Sequence, residues 1–329
     1  GIFTISLDFE LHWGGVEKWS MAPASNYPEY FCHTRKIIPQ VLESFSAYGI
    51  NATWATVGLL FNRDRAGLMA SLPVIEPGYE NKDLSAYRYI RETTIGENEQ
   101  SDPFHYGHEL IMSIKATPGQ EIGSHTFSHY YCNEAGQTAD QFAADLAAAV
   151  KAAGRYDLTP TSLVFPRNQF NEAYLLECSK FGFTSVRSNP PAWFWRIKGT
   201  EEPMLKRLVR AADAYLPVTR TSYPLSAVEV REGLPVCLPA SRFLRPWARR
   251  EGLLNQIKLN RVLQEMTTAA KSGEVYHLWW HPHNFGFYPD QNMDMLRTIL
   301  DHFSALRNRY GMESLTMAEC RERVLALRR

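Results

Sequence analysis

The 329-residue chain has no excess charge of either sign, since 35 lysines and arginines balance 35 aspartates and glutamates. A neutral chain gives no electrostatic reason to expect nucleic acid or anionic lipid as a partner. No apolar run reaches the length of a membrane span. The five cysteines are scattered and include no Cys-x-x-Cys pair, so neither a disulfide framework nor a thiolate zinc site is indicated.

A signal peptide pattern is also lacking, because residue 1 leads directly into an apolar strand. With no cysteine framework, this favours a reduced, cytoplasmic setting. Apolar residues make up 45% of the chain and charged residues 21%, as in ordinary globular proteins. The sequence therefore predicts a chain with a core of useful size.

Predicted strands and helices alternate along almost the whole chain. The apolar and β-branched runs predict strands at 2–7, 51–60, 121–123, 162–165, 184–187, 235–238 and 274–280. Amphipathic stretches predict helices at 35–48, 138–153, 171–181, 204–215, 253–271 and 291–310, and a short strand and a helix fill 314–327. Such repeated βα units imply a parallel sheet covered on both faces.

About seven of these units predict an α/β fold with parallel strands, an irregular (β/α)7-type barrel. We expect one domain over residues 1–329. Residues 62–119 interrupt the pattern with several prolines and glycines and are polar. We interpret this stretch as an insertion with one or two helices that could form a substrate lid.

Polar residues follow several predicted strands, at the end where such barrels collect their chemistry. Asp8 and Glu10 follow the first strand, and residues two apart in an extended chain point to the same side. One carboxylate could bind a metal ion while the other accepts a proton from water. Considered alone, the two could equally form a salt bridge at the strand end.

His125 and His129 follow the predicted strand 121–123. On the first turn of a helix their spacing puts both imidazoles on one face, where they can share a metal ion with a third ligand. Most His-x-x-x-His pairs are surface histidines on helices. Together with the paired carboxylates of the first strand, however, this pair indicates a hydrolytic metal site with open positions.

His281 and His283 follow an aromatic strand, and an imidazole could protonate a leaving amine at neutral pH. One of them could instead cap the strand end or contact substrate. Arg167 could keep a base carboxylate ionised, or it could be an exposed arginine at a strand end. Trp13 is the aromatic residue best placed to stack on a sugar, although large aromatics more often lie in the core.

The order of these motifs resembles the polysaccharide deacetylase family, the NodB-homology carbohydrate esterases. Ser124-His125-Thr126-Phe127-Ser128-His129 fits its second motif, His-Ser/Thr-x-x-x-His, and is the most specific match. Ser6-Leu7-Asp8-Phe9-Glu10 is similar to the first motif, Thr-Phe-Asp-Asp-Gly. Residues 51–58, 280–283 and 313–317 are similar to the strand after the first helix, the acid-histidine motif and the closing strand.

The resemblance implies a deformed barrel that removes acetyl groups from N-acetylated sugars with one divalent metal ion, usually zinc. By its motifs Asp8 is the base, His125 and His129 bind the metal, and His281 is the acid. Where the family has adjacent aspartates this chain has Asp8-Phe9-Glu10, so Glu10 is the expected metal carboxylate.

Two motifs depart from the family pattern. The third, Arg-x-Pro, reads Pro166-Arg167-Asn168 here, which makes Arg167 the candidate contact of the base. The fourth, an aspartate-tryptophan pair, has no clear counterpart, and the segment with Trp193 and Trp195 is the candidate for it.

The sequence thus predicts a metal-dependent N-deacetylase acting on an N-acetylated amino sugar in a polysaccharide or its precursor, in cell-surface polysaccharide biosynthesis. The expected metal ligands are Glu10, His125 and His129, the catalytic residues Asp8, His281 and Arg167, and the substrate-binding residues Trp13 and His283. The identity of the base (Asp8 or Glu10) and of the acid (His281 or His283) stays open. The alternatives are a deformylase or allantoinase-like amide hydrolase, and a carbohydrate-binding barrel without metal.

Overall fold

The computed structural model describes residues 1–22, 24–199, 202–216 and 221–328. At the centre of its sheet lies β1 (Ile2–Phe9), which pairs in parallel with β2 (Ala52–Thr56) and with β8 (Val275–Trp280). Every residue of these three strands is buried. Burial on both faces explains why the strands are rich in aromatic and aliphatic residues rather than alternating with exposed polar ones.

The described residues form one nine-stranded sheet in which every pairing is parallel. The strand order is β6-β5-β4-β3-β2-β1-β8-β7, and β9 pairs with the start of β1. The remaining strands are β3 (Gln120–Ser124), β4 (Ser162–Val164), β5 (Ser185–Ser188), β6 (Val236–Pro239), β7 (Arg242–Phe243) and β9 (Glu313–Ser314).

The sheet closes on itself through a single extended segment. β6 pairs with β5, and two residues later β7 pairs with β8 on the other side. Between them the N–H of Ala240 donates to Ser188 O (2.9 Å) and that of Ser241 to His277 O (2.8 Å). Counted as one, β6 and β7 complete a seven-stranded barrel, which confirms the predicted irregular (β/α)7-type fold.

The helices are α1 (Tyr27–Tyr48), α2 (Arg65–Ser71), α3 (Ala86–Glu92), α4 (His108–Ala116), α5 (Ala139–Gly154), α6 (Leu175–Lys180), α7 (Met204–Asp213), α8 (Leu254–Ser272), α9 (Pro289–Tyr310) and α10 (Met317–Ala326). Thr138 and Gln141 form a capping box at the start of α5. Among the described helices none is long and apolar enough to cross a bilayer, not even the 22-residue α1 and α9.

Residues 62–119 contain three short helices, α2 to α4, where one or two were predicted. Leu68, Tyr87 and Ile111 of this segment belong to the main hydrophobic core. The segment also touches the loop after β1, since His105 Nε2 lies 3.0 Å from His12 Nδ1. It therefore packs against the loop that follows the C-terminal end of β1.

Candidate metal centre and active site

The C-terminal end of β1 directs three polar side chains into the barrel. Ser6, Asp8 and Glu10 alternate with apolar residues and so point to the same side. Asp8 is 2% exposed and Glu10 3%. A buried carboxylate is stable only with charged or hydrogen-bonding partners, and each of the two acids has its own set.

The two histidines lie in a loop after β3, so the prediction that they lie on a helix is wrong. Thr126 and His129 have left-handed φ values of 64° and 59°, and the loop turns both imidazoles to one side. His125 Nδ1 lies 2.8 Å from the carbonyl oxygen of Val164. Because a carbonyl can only accept, Nδ1 carries the proton and Nε2 presents a lone pair to the barrel.

Asp145 of α5 holds this loop in shape. Its carboxylate accepts hydrogen bonds from the N–H groups of Phe127 (2.6 Å) and Ser128 (3.1 Å), and also from the Ser128 hydroxyl and from Tyr87 Oη (3.1 Å). Burial raises the pKa of Asp145 to about 6, although these hydrogen bonds act in the opposite direction. The histidine geometry therefore depends on a residue of the neighbouring helix.

Glu10 meets both histidines. Its Oε2 lies 3.2 Å from His125 Nε2 and 3.0 Å from His129 Nε2, and ligand atoms of all three residues lie within 4.8 Å of one another. Glu10 Oε2 and His125 Nε2 are buried and have no hydrogen-bond partner in the described residues. Two imidazole nitrogens and a carboxylate oxygen are a usual ligand set for zinc, so these residues fit a divalent metal ion.

The protonation states also suit a metal ligand set. Burial alone would raise the pKa of Glu10, but the histidines His281 and His129 hold it well below its usual range. Burial lowers the pKa of His129. Gly14 leaves room for the carboxylate, since a Cβ there would lie 2.1 Å from Glu10 Oε1.

Arg187 of β5, not Arg167, is the partner of Asp8. Its Nη1 and Nη2 donate to Asp8 Oδ1 (2.7 Å) and Oδ2 (2.8 Å), and Nη1 also donates to Ser6 Oγ (3.0 Å). Burial tends to raise the pKa of Asp8, but Arg187, aided by His125 and His281, lowers it below the usual value. The buried carboxylate is thus kept ionised by a two-pronged ion pair.

The expected contact of Arg167 with the base carboxylate is therefore wrong. Arg167 lies in a short turn with a left-handed φ of 53°, and this conformation directs its guanidinium to Glu17 and to the carbonyl of Gly14. It also lies over the ring of Tyr131, 5.3 Å from the centroid. Arg167 thus belongs to the cavity wall. Arg187 lies on β5, and its side chain points into the barrel, where it reaches Asp8.

His281 and His283 follow β8 on the side of the barrel that faces Glu10. His281 Nε2 lies 3.7 Å from Asp8 Oδ2 and 3.6 Å from Glu10 Oε1, and its side chain is 23% exposed. His283 Nε2 lies 3.8 Å from Glu10 Oε1. Burial lowers the pKa of His283 to about 3, so this imidazole is neutral and enclosed, whereas His281 is open to the cavity.

A cavity of about 390 Å³ lies over these groups, within the range of small-molecule sites. It is lined among others by Asp8, Glu10, Lys18, Trp19, His129, Arg167, Trp195, Glu202, Arg210, Phe243, His281 and His283. His283 thus lines the cavity, and its role in substrate binding stays a prediction. The carboxylates, the imidazoles and the aromatic rings share one space.

The prediction that Trp13 binds substrate is wrong. Its side chain is 1% exposed, and its indole N–H donates to the carbonyl of His105 (2.8 Å). The short helix Leu11–Gly15 turns Trp13 into the core, and Trp19, six residues later, lines the cavity instead. Nothing in the spacing distinguishes these two tryptophans. Arg187 was not among the predicted site residues either, and the signal that points to it is a charged side chain at the end of a predicted strand.

Comparison with solved structures shows that the fold is shared. A candidate polysaccharide deacetylase from Mycobacterium smegmatis is 14% identical with a TM-score of 0.59, over 99% of this chain and 91% of that chain. A candidate polysaccharide deacetylase from Pseudomonas aeruginosa is 9% identical with a TM-score of 0.55, over 98% and 89%. The allantoinase PuuE is 10% identical with a TM-score of 0.53, over 99% and 89%. At these identities the likeness shows the fold alone.

No curated protein matches the sequence. The sequence model of the polysaccharide deacetylase family matches residues 28–186. The matched stretch includes His125, His129 and Asp145, while Asp8, Glu10 and His281 lie outside it. This match over just under half of the chain, together with the shared barrel, supports the polysaccharide deacetylase family, a family of amide-bond hydrolases.

Proposed function

We propose that this chain is a metal-dependent N-deacetylase that hydrolyses the acetamide of an N-acetylated amino sugar in a glycan or its precursor. The observation that carries the proposal is the meeting of Glu10, His125 and His129 at the floor of the cavity, beside the ionised Asp8. Zinc is the ion that suits this ligand set best. A step in cell-surface polysaccharide assembly is the setting that we propose.

Glu10 is the metal carboxylate and Asp8 the base in this proposal. Glu10 Oε2 lies between the two imidazole nitrogens, whereas both oxygens of Asp8 are held by Arg187. A divalent ion held there would polarise the acetamide carbonyl and acidify water. Asp8, kept ionised by Arg187, accepts the proton of the attacking water.

His281 is the acid that protonates the departing amine. Its imidazole faces the cavity, and its Nε2 is within 4 Å of both carboxylates, so a proton taken up by Asp8 has a short route to it. His283 is buried beside it, the two ring centroids being 4.9 Å apart. We propose that His283 and Trp19 shape the wall against which the sugar lies, while His281 transfers the proton.

The test uses the purified chain, stripped of metal with a chelator and then reloaded with zinc. We expect Asp8→Asn to retain one metal equivalent and to release acetate from an acetylated oligosaccharide about 100-fold more slowly or worse. Asp140→Asn, an exposed aspartate on α5, is the matched control and keeps full activity.

The same assay separates the alternatives. Release of formate, or of a ring-opened ureide, in place of acetate would identify a deformylase or an allantoinase-like enzyme on this barrel. Absence of bound metal together with absence of product would leave a carbohydrate-binding protein. Equal activity of Asp8→Asn and the unmodified chain would remove Asp8 from the mechanism.

A further inference from the structure

Helix α7 presents its apolar side to solvent and its charged side to the protein. Met204, Leu205 and Leu208 share one face by their spacing, and they are 74%, 64% and 60% exposed. On the other side Asp213 is buried. This is the reverse of an ordinary surface helix, whose apolar stripe faces the core.

The charged side of α7 is firmly attached to the barrel. Arg210 donates to the carbonyl of Phe194 (2.8 Å) and pairs with Glu202. Asp213 lies 3.5 Å from a guanidinium nitrogen of Arg242 and 3.8 Å from one of Arg261. These polar contacts set the orientation of the helix. Its apolar face does not pack against the barrel and stays exposed to solvent.

A second group of exposed apolar side chains begins beside the C-terminal end of α7. The segment that leads into α8 contacts α7, because Arg245 donates to the carbonyl of Arg210 (3.2 Å). At the start of α8, Leu253 is 86% exposed, Leu254 43% and Ile257 46%. We call these six residues (Met204, Leu205, Leu208, Leu253, Leu254 and Ile257) the apolar patch.

Among the described residues, the exposed charged side chains of the segments that carry the apolar patch are cationic. The acids of these two segments within the described residues are engaged internally, Glu202 with Arg210, Glu251 with Lys258 and Asp213 as described above. Five exposed cations have no carboxylate within salt-bridge distance among the described residues: Arg196, Lys198, Arg207, Arg249 and Arg250. The chain as a whole is neutral, whereas the exposed charges of these two segments, within the described residues, are all positive.

We propose that the apolar patch docks on the surface of an anionic lipid bilayer. Exposed Leu, Met and Ile side chains flanked by Lys and Arg are the composition of helices that lie in the membrane interface. A second copy of this chain fits less well, because a two-fold contact would place these five cations against themselves. The docking needs no membrane-spanning helix.

The segment that carries α7 borders the cavity. Trp195, Glu202 and Arg210, from the segment that carries α7, line the cavity wall. Docking would hold the mouth of the cavity near the lipid headgroups. If the proposed N-deacetylase function is correct, acetylated glycans still attached to lipid become accessible substrates.

The test is co-sedimentation of the full chain with two kinds of vesicle, phosphatidylcholine alone and phosphatidylcholine mixed with phosphatidylglycerol. We expect binding to the mixed vesicles, weakened by salt because part of it is electrostatic. Leu205→Glu/Leu208→Glu should weaken this binding about tenfold or more, since it removes buried apolar area and adds repulsion. Leu176→Glu, at a site of α6 that is 51% exposed, is the matched control and should bind normally.

Arg249→Glu/Arg250→Glu keeps the apolar residues and should weaken binding to the mixed vesicles only. Sedimentation of the unmodified chain with neither kind of vesicle, or unchanged binding of Leu205→Glu/Leu208→Glu, would overturn the proposal. So would a dimer in light scattering that this variant converts to monomer, because the patch would then be an interface between copies. None of these readouts uses acetate release, so they stand apart from the test of the proposed function.

Discussion

Arg187 is the residue on which the ionisation and orientation of Asp8 depend. Replacing Arg187 by Met leaves a buried carboxylate without its counter-charge, so we expect kcat to fall about 100-fold or more and the protein to lose about 3 kcal/mol or more of stability. Arg187→Lys keeps the charge but cannot hold both oxygens, and we expect it to recover stability better than kcat. Steady-state acetate release and urea unfolding measure the two effects.

Arg167→Met is the companion variant, because Arg167 pairs with Glu17 in the cavity wall. We expect it to affect KM more than kcat and to cost less stability than Arg187→Met, because Glu17 keeps Lys18 as a second cation 3.8 Å away. Loss of kcat in Arg167→Met together with an active Arg187→Met would show that Arg167, despite its position, assists the base.

The difference between these two arginines shows what the sequence could predict at the level of residues. Asp8 and Glu10 share a side by the two-residue period of a strand, which is a local property that the sequence predicts. Arg167 and Arg187 both follow or end predicted strands, and only the left-handed turn at Arg167 directs it away from Asp8. Such a turn in a non-glycine residue depends on its tertiary surroundings.

The loop after β3 is an element whose shape depends on Asp145. Burial raises the pKa of this carboxyl from 3.8 to about 6, so the native state binds its proton more tightly than the unfolded chain does. Below about pH 4 the bound proton therefore adds up to about 3 kcal/mol to the free energy of unfolding. This contribution is lost as pH rises through about 6. Asp145→Asn cannot titrate, and we expect it to lack this part of the pH dependence.

Urea unfolding of both proteins at pH 4 and pH 7 measures this effect. The stability advantage of the unmodified chain over Asp145→Asn should be larger at pH 4 than at pH 7. Asp140→Asn removes an exposed carboxylate from the same helix and should follow the unmodified chain at both pH values. A constant difference between the unmodified chain and Asp145→Asn would show that Asp145 is ionised throughout this range.

At the level of elements, the sequence predicted the regular strands and helices well and the loop poorly. The capping box of α5 and the glycines that end α1, α8 and α9 are local signals. The histidine pair has helical spacing, but the two imidazoles are brought to one side by a turn and not by a helix. This turn has positive φ values at Thr126 and His129 and is held by hydrogen bonds to Asp145. Asp145 lies on α5, and the spacing of the two histidines does not show that α5 packs against their loop.

At the level of the whole molecule, the alternation of strands and helices was sufficient to predict the barrel. The alternation could not show that residues 236–244 pair first with β5 and then with β8 and so close the barrel. The second of these strands, β7, is only two residues long. Closure matters for the site, since β5 carries Arg187, β8 leads to His281 and Phe243 of β7 lines the cavity. The proposed acid His281 and the arginine that pairs with the proposed base thus face β1 from separate strands.

Because the three proposed ligands come from β1 and from the loop after β3, a bound ion ties together parts of the chain more than a hundred residues apart. An ion that binds the folded state alone stabilises it, by about 2.7 kcal/mol at a free concentration roughly 100 times the Kd. We therefore expect zinc to raise the Tm of the chelated protein and His129→Ala to abolish this rise. His302→Ala, which removes an imidazole that contacts Thr267, should lower the Tm with and without zinc yet keep the rise. If zinc stabilised His129→Ala as much as the unmodified chain, the ion would be bound elsewhere, and the assignment of Glu10, His125 and His129 as its ligands would be wrong.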